Sequence, residues 1–293
     1  MKNNNLTYPL AIIDIGSNSV RSMFVNANGL RDKVTVSTRL GEGLSFSAYL
    51  NEDAINRTVK AVVELYATAV KRGAKQIYAF ATAAVRNSKN GNDFVSAVKN
   101  AIGLTVDVVS GELEAELSLQ GATLGVDGGV IDVGGASSEV CVKQNGSLVY
   151  GYSLKMGAVK LYDGYGRNYE AIKRVLTDLM QEYKQIPTAN FKAVGGTATS
   201  LASVDLNLKT YDPTIVDGHY ISKDRLEVLT EKLFSLSPEE ITANYCVGRK
   251  RADVIAGGSA IILSILKYAN IDGITVSESD NLEGYLMYLG GSL

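Results

Sequence analysis

Along the first third of the chain the hydrophobic pattern predicts strands before helices. Residues 10–15 form a nearly unbroken apolar run, 20–26 and 33–39 alternate, and Asn28-Gly29 supplies a turn, so three antiparallel strands are expected. The period then lengthens. Ile55, Val59, Val62, Val63, Tyr66 and Val70 recur at helical spacing, Asn51 stands where an N-cap belongs, and Gly73 follows the helix end. A strand over 76–82, a helix over 93–100, a strand over 105–109 and a helix opened by Ser110 complete the order βββαβαβα before residue 125. After Asp127-Gly128-Gly129 the order restarts, with strands over 130–133, 138–143 and 146–154, a helix over 169–183 and a strand over 191–194. Helices over 223–234, 238–244, 252–267 and 282–288 follow, with a strand over 273–277 and a turn into a short strand after His219.

The restart repeats an unusual turn. Ala11-Ile12-Ile13-Asp14-Ile15-Gly16-Ser17-Asn18-Ser19 and Val130-Ile131-Asp132-Val133-Gly134-Gly135-Ala136-Ser137-Ser138-Glu139 each run a buried strand into an Asp and then into a turn of small and hydroxyl residues. A carboxylate in an apolar run calls for a cation or a bound water beside it. Small residues let backbone N–H groups close on an anion. Two such turns, in parallel context, predict a phosphate cleft between duplicated cores. The expected fold is α/β, with halves at 1–124 and 125–293 and the last helix packing back on the first half.

At 293 residues the chain suits two domains. Its 46% hydrophobic and 20% charged content describes a globular protein, and the net charge of −2 argues against a nucleic-acid partner. The basic run Arg249-Lys250-Arg251 reads as a solvated helix end. The two cysteines, Cys141 and Cys246, read as reduced packing residues of a cytoplasmic protein, and the single histidine, His219, as structural. One histidine excludes histidine-rich metal sites and relays. The N-terminal Met1-Lys2-Asn3-Asn4-Asn5 is a polar lead-in without a signal core. The longest apolar stretch, residues 254–266, falls short of the ~20 residues that cross a bilayer, so a buried helix and no membrane association are expected.

Duplicated βββαβαβα units with Asp-x-Gly turns resemble the actin and hexokinase superfamily, which binds polyphosphorylated ligands between two ribonuclease-H-like domains. Five segments narrow the resemblance: Asp14-Ile15-Gly16-Ser17-Asn18-Ser19-Val20-Arg21, Arg39-Leu40-Gly41-Glu42-Gly43-Leu44, Ala81-Thr82-Ala83-Ala84-Val85-Arg86-Asn87, Ser110-Gly111-Glu112-Leu113-Glu114-Ala115 and Asp132-Val133-Gly134-Gly135-Ala136-Ser137-Ser138-Glu139. In that order they resemble the motifs of the exopolyphosphatase and guanosine pentaphosphatase (Ppx/GppA) family. Val194-Gly195-Gly196-Thr197 and Arg251-Ala252-Asp253-Val254-Ile255 extend the match over nearly the whole chain, in the short two-domain form.

The resemblance implies Mg²⁺- or Mn²⁺-dependent hydrolysis of a terminal phosphoanhydride. Glu114 is implied to orient and activate the attacking water, and Arg86 to neutralise the transferred phosphoryl group. Neighbouring Glu112 and Glu116 suit a first helical turn for electrostatic reasons alone. Asp132 and Glu139 are the implied metal-side carboxylates, with Asp14 mirroring Asp132 beside water or metal; a solvated strand face is the other reading of Glu139, and a surface salt bridge that of Arg86. Ser17, Asn18 and Ser19 are expected to grip phosphate opposite Gly134, Gly135, Ala136 and Ser137, with Gly196 and Thr197 adding to the phosphate site.

Two departures from the family pattern stand out. Ala136 replaces a third glycine, which would tilt the turn if that position needs positive φ, and the segment before Glu283-Gly284 lacks the usual Gly and Arg, so that helix would dock differently. The leading expectation is an exopolyphosphatase acting on inorganic polyphosphate. The alternatives are guanosine pentaphosphate as substrate and, outside catalysis, an actin-like nucleotide or polyphosphate sensor. A homodimer is the family-based expectation.

Overall fold

The computed structural model describes residues 6–44 and 46–290; the polar lead-in at 1–5 lies outside them. Five strands, β1 (Leu10–Ile15), β2 (Ser19–Val25), β3 (Arg31–Ser37), β4 (Gln76–Ala81) and β5 (Val106–Val108), form one mixed sheet in the order β3-β2-β1-β4-β5. Six more, β6 (Gly128–Val133), β7 (Ser138–Gln144), β8 (Ser147–Leu154), β9 (Phe191–Val194), β10 (Tyr220–Ser222) and β11 (Gly273–Val276), form the second. There the order β8-β7-β6-β9-β11 repeats the first sheet strand for strand, and β10 adds an antiparallel edge. The two ribonuclease-H-like α/β units expected from the sequence are therefore present.

Helices connect and cover these sheets. The first unit holds α1 (Glu52–Lys71), α2 (Ala83–Arg86), α3 (Gly91–Ile102) and α4 (Gly111–Thr123). The second holds α5 (Ala158–Tyr165), α6 (Tyr169–Leu179), α7 (Gly195–Asp205), α8 (Pro213–Val216), α9 (Lys223–Ser235), α10 (Pro238–Asn244), α11 (Arg249–Ala252), α12 (Ile255–Tyr268) and α13 (Asn281–Tyr288). Asn51 caps α1 as expected, its side chain accepting from the Asp53 amide at 2.8 Å. The expected helix over 169–183 ends in a 3-10 turn at Met180–Tyr183, and that over 252–267 divides between α11 and α12. Among the described residues no helix is long and apolar enough to cross a membrane.

Strand alternation decides which residues face the space between the sheets. On β1, Ile13 and Ile15 pack outward with Val62, Leu65, Phe94 and Val98 of α1 and α3. Leu10 and Ile12, the parity of Asp14, face Leu282, Tyr285, Leu286 and Leu289 of α13. On β6, Ile131 and Val133 join the large core of the second half, whereas Val130, the parity of Asp132, faces Ala115, Leu119 and Ala122 of α4. Each terminal helix thus covers the sheet of the other half. The two helices cross where both lack a side chain: a Cβ on Gly121 would collide with the Asp280 carbonyl, and one on Gly284 with the Leu117 carbonyl.

Candidate active site

The two turns close in the same way. Gly16 N–H donates to the Ser19 carbonyl at 3.0 Å, and Gly134 N–H donates to the Ser137 carbonyl at 3.0 Å. They also touch, since a Cβ on Gly135 would stand 2.8 Å from the Ser17 Cβ. The first turn is anchored by the Gly41 amide on the Ser17 carbonyl at 2.8 Å and by the Thr38 and Arg39 amides on the Asn18 carbonyl. Asn18 Nδ2 donates to Ser19 Oγ at 3.3 Å, while Asn18 Oδ1 is buried without a partner. The second turn is keyed to α5, whose Ala158 and Val159 amides donate to the Gly134 and Gly135 carbonyls at 2.8 and 2.9 Å. Ala136 is not among the residues with positive φ, so its methyl group carries no backbone strain and the tilt considered for it does not arise.

Between the turns lies a cleft lined by Asp14, Ser17, Asn18, Ser19, Thr82, Glu114, Asp132, Gly134, Gly135, Ser137, Gly196 and Thr197, among others. Glu114 is buried, while Glu112 and Glu116 on the same helix are exposed. Arg86 Nη1 donates to Glu114 Oε2 at 2.7 Å and to the Val109 carbonyl at 3.0 Å, so it is a half-buried partner of a cleft carboxylate and not a surface salt bridge. Neither Arg86 nor Glu139 is itself among the residues lining the cleft. Glu139 is buried too, which removes the solvated-strand reading. Thr197 Oγ1 donates to the Val133 carbonyl at 2.8 Å and braces β6. Gly195 has φ +76 and would put a Cβ 2.9 Å from Asp132 Oδ1, so glycine there makes room for the carboxylate.

Register explains the electrostatics. Asp14 is paired across β1 and β2 with Arg21, and Asp132, its equivalent, is paired across β6 and β7 with Glu139. Arg21 bridges Asp14 and Asp280, the residue capping α13. Asp14 Oδ1 is left buried without a partner. Asp132 Oδ2 accepts from Ser118 Oγ at 2.9 Å and from Asn281 Nδ2 at 3.4 Å, and Glu139 Oε1 accepts from Ser153 Oγ at 2.6 Å. Burial pushes the Asp132 carboxyl up to about 7, Arg21 opposing and Asp280 and Glu114 adding to the rise. Burial, then the charges of Glu114 and Asp132, lift Glu139 well above the ordinary range. Glu114 is also raised, by burial first, against the pull of Arg86. Among the described residues, no group of three or more His, Cys, Asp or Glu side chains is arranged to hold a metal ion by itself.

The site also contains residues the sequence reading left out. Arg21, Thr82, Ser118, Asn281 and Arg251 all contribute, and residue-by-residue alignment of the two turns would have exposed Arg21 as the counterpart of Glu139. Of the basic run only Arg249 is a solvated helix end. Arg251 lies over Gly196, its Nη2 donates to Ser19 Oγ at 3.3 Å, and burial lowers its pKa to about 10. Lys250 Nζ reaches the Ser37 carbonyl at 3.1 Å. Glu283, in a capping box, pairs with Lys33 at 2.8 Å, so α13 docks without the missing Gly and Arg. His219 Nε2 meets Asp205 Oδ2 at 2.7 Å and is not among the residues lining the cleft; both cysteines are free.

A family model described as the Ppx/GppA phosphatase family matches residues 30–289. The chain belongs to this family. Among its relatives is a bifunctional 3-dehydroquinate synthase/phosphatase from Fusobacterium nucleatum, 29% identical over 98% of this chain, which spans only 47% of that protein. Exopolyphosphatase 2 of Mycobacterium tuberculosis is 26% identical, covering 96% of this chain and 98% of its own. A crystal structure of the Aquifex aeolicus Ppx/GppA member aligns with a TM-score of 0.77 at 27% identity, covering 95% and 96% of the two chains.

Proposed function

We propose that this protein hydrolyses the terminal phosphoanhydride of inorganic polyphosphate and releases orthophosphate. The carrying observation is the buried Glu114, held by Arg86 at 2.7 Å in the same cleft as the two turns and Asp132. In this reading the terminal phosphate lies between Ser17-Asn18-Ser19 and Gly134, Gly135 and Ser137, with Gly196 and Thr197 at its side, while Ala136, expected in the same turn, lines the neighbouring cavity instead. Glu114 orients a water for in-line attack and takes its proton, and burial, by raising its pKa, makes it a stronger base than an ordinary carboxylate. Arg86 spreads its fork over both Glu114 and the charge developing on the phosphoryl oxygens. The reading takes 1–124 and 125–293 as the two halves that enclose the substrate.

A divalent cation fits the residues present. Mg²⁺ is commonly held by one or two carboxylates together with substrate phosphates and waters, not by a complete protein cage. Asp132 and Glu139 are two buried carboxylates directly across a strand pair, and Asp14 Oδ1 is an open buried acceptor nearby. Asp132 and Glu139, with substrate phosphates and waters completing the shell and Asp14 beside a bound water, would hold Mg²⁺ or Mn²⁺, which would supply charge neutralisation to the phosphate oxygens. A homodimer and a cytoplasmic setting belong to the same reading on family grounds alone.

Guanosine pentaphosphate is the second reading, favoured by Arg251 at the Gly196 end of the cleft. Phosphate release from tripolyphosphate, long polyphosphate, guanosine pentaphosphate and ATP with Mg²⁺ separates the two. In Glu114→Gln the rate is expected to fall by about 10² to 10⁴. Near wild-type turnover would remove Glu114 from the mechanism, and tight polyphosphate binding without turnover in the wild type would favour the sensor.

A further inference from the structure

Next to the cleft is a second cavity of about 280 Å³. Ala83 lines both, and Ala136 faces the second from the turn whose Gly134, Gly135 and Ser137 face the first, so the two spaces adjoin across this turn. Lys155 and Lys160 line this second space together with Ser47 and Asn87, and among the described residues lining it there is neither a carboxylate nor an aromatic ring. Lys160 Nζ donates to the Lys155 carbonyl at 2.8 Å, and the Lys160 amide donates to the Gly135 carbonyl at 3.0 Å. The lysine is thereby keyed to the phosphate turn itself. Burial, then the neighbouring Lys155 charge, lowers the Lys160 pKa. Lys155 is exposed and Lys160 half-buried, and two neighbouring ammonium groups favour an anion between them.

We infer that this cavity receives the non-transferred phosphates of an inorganic polyphosphate chain whose end lies in the cleft, and that Lys155 and Lys160 set the preference for long chains. The inference rests on the hydrolase reading above. Lysine binds phosphate as a point charge, without the planar matching that a base edge would need. A guanine would call for a stacking surface, and the described residues of this lining supply no ring. A phosphate chain presents only anionic oxygens, which is what two ammonium groups and two polar side chains can satisfy.

The test compares KM for tripolyphosphate and for long polyphosphate in the wild type, in Lys155→Gln/Lys160→Gln and in Lys155→Arg/Lys160→Arg. In the Gln pair the KM for long chains should rise about tenfold more than that for tripolyphosphate, and the gap should narrow at high salt. The Arg pair should keep the wild-type ratio. Equal losses on both substrates, or none on long chains, would overturn the inference. If the wild type hydrolyses neither substrate, the hydrolase reading fails, and calorimetric binding of long polyphosphate still decides: loss of binding in the Gln pair supports the cavity, while unchanged binding, or none in the wild type, rejects it.

Discussion

Asp14 and Asp132 occupy the same position in two copies of one hairpin, but their cross-strand partners, Arg21 and Glu139, carry opposite charge. The first copy is neutralised internally, and the second holds two acids facing each other. Removing Arg21 would leave Asp14 and Asp280 buried without their cation. Arg21→Ala should therefore cost about 3–5 kcal/mol in urea denaturation, and an effect below ~1 kcal/mol would show the pair to be dispensable. Asp14 and Asp132 were legible in the sequence because each interrupts an apolar run, whereas Glu114 and Glu139 were legible only through the family resemblance. Arg21 was not, because an arginine on an alternating strand looks solvated until its register partner is known. Arg251 was hidden by its neighbours: Arg249 pairs with Glu239 on the surface, and only the fold turns Arg251 inward.

Among the elements, strands and long amphipathic helices were readable, and the duplicated order emerged from periodicity alone. The missed helices had physical reasons. α5 is only eight residues long and bracketed by Gly157 and Gly166, too short for its apolar face to stand out, and α7 opens with Gly195-Gly196 and is buried on several sides, so it shows no apolar stripe. The crossing of α4 and α13 was equally silent, since Gly121 and Gly284 are informative only when the two backbones are seen to meet. Gly284→Ala forces a methyl group into the Leu117 carbonyl. It should cost about 1–3 kcal/mol or more and lower turnover by shifting Glu114, which α4 carries. Calorimetry and steady-state rates check this, and a wild-type Tm would show that the crossing is loose.

For the whole molecule, the acidic cleft links stability to pH. The Asp132 carboxyl rises from an ordinary 3.8 to about 7 in the fold, so between those values the folded state binds more protons than the unfolded one. The metal-free protein should accordingly lose stability as pH rises from about 4 to about 7, with Glu139 and Glu114 acting in the same direction. A divalent cation holds these groups ionised, so Mg²⁺ should flatten the slope and release protons on binding. Denaturation midpoints across that range, with Mg²⁺ and with chelator, test both; stability rising with pH in chelator would contradict the assignment.

The exchange of α4 and α13 has a further consequence. Each sheet is roofed by a helix that the chain delivers from the opposite half, so neither half is a finished object. A fragment ending at residue 124 would carry α4 with Ala115, Leu119 and Ala122 bare and would lack the roof over Leu10, Ile12 and Phe80. The remaining fragment would have the reverse deficit. Severing the peptide between them would release no independent modules, only two complementary pieces that fold by finding each other.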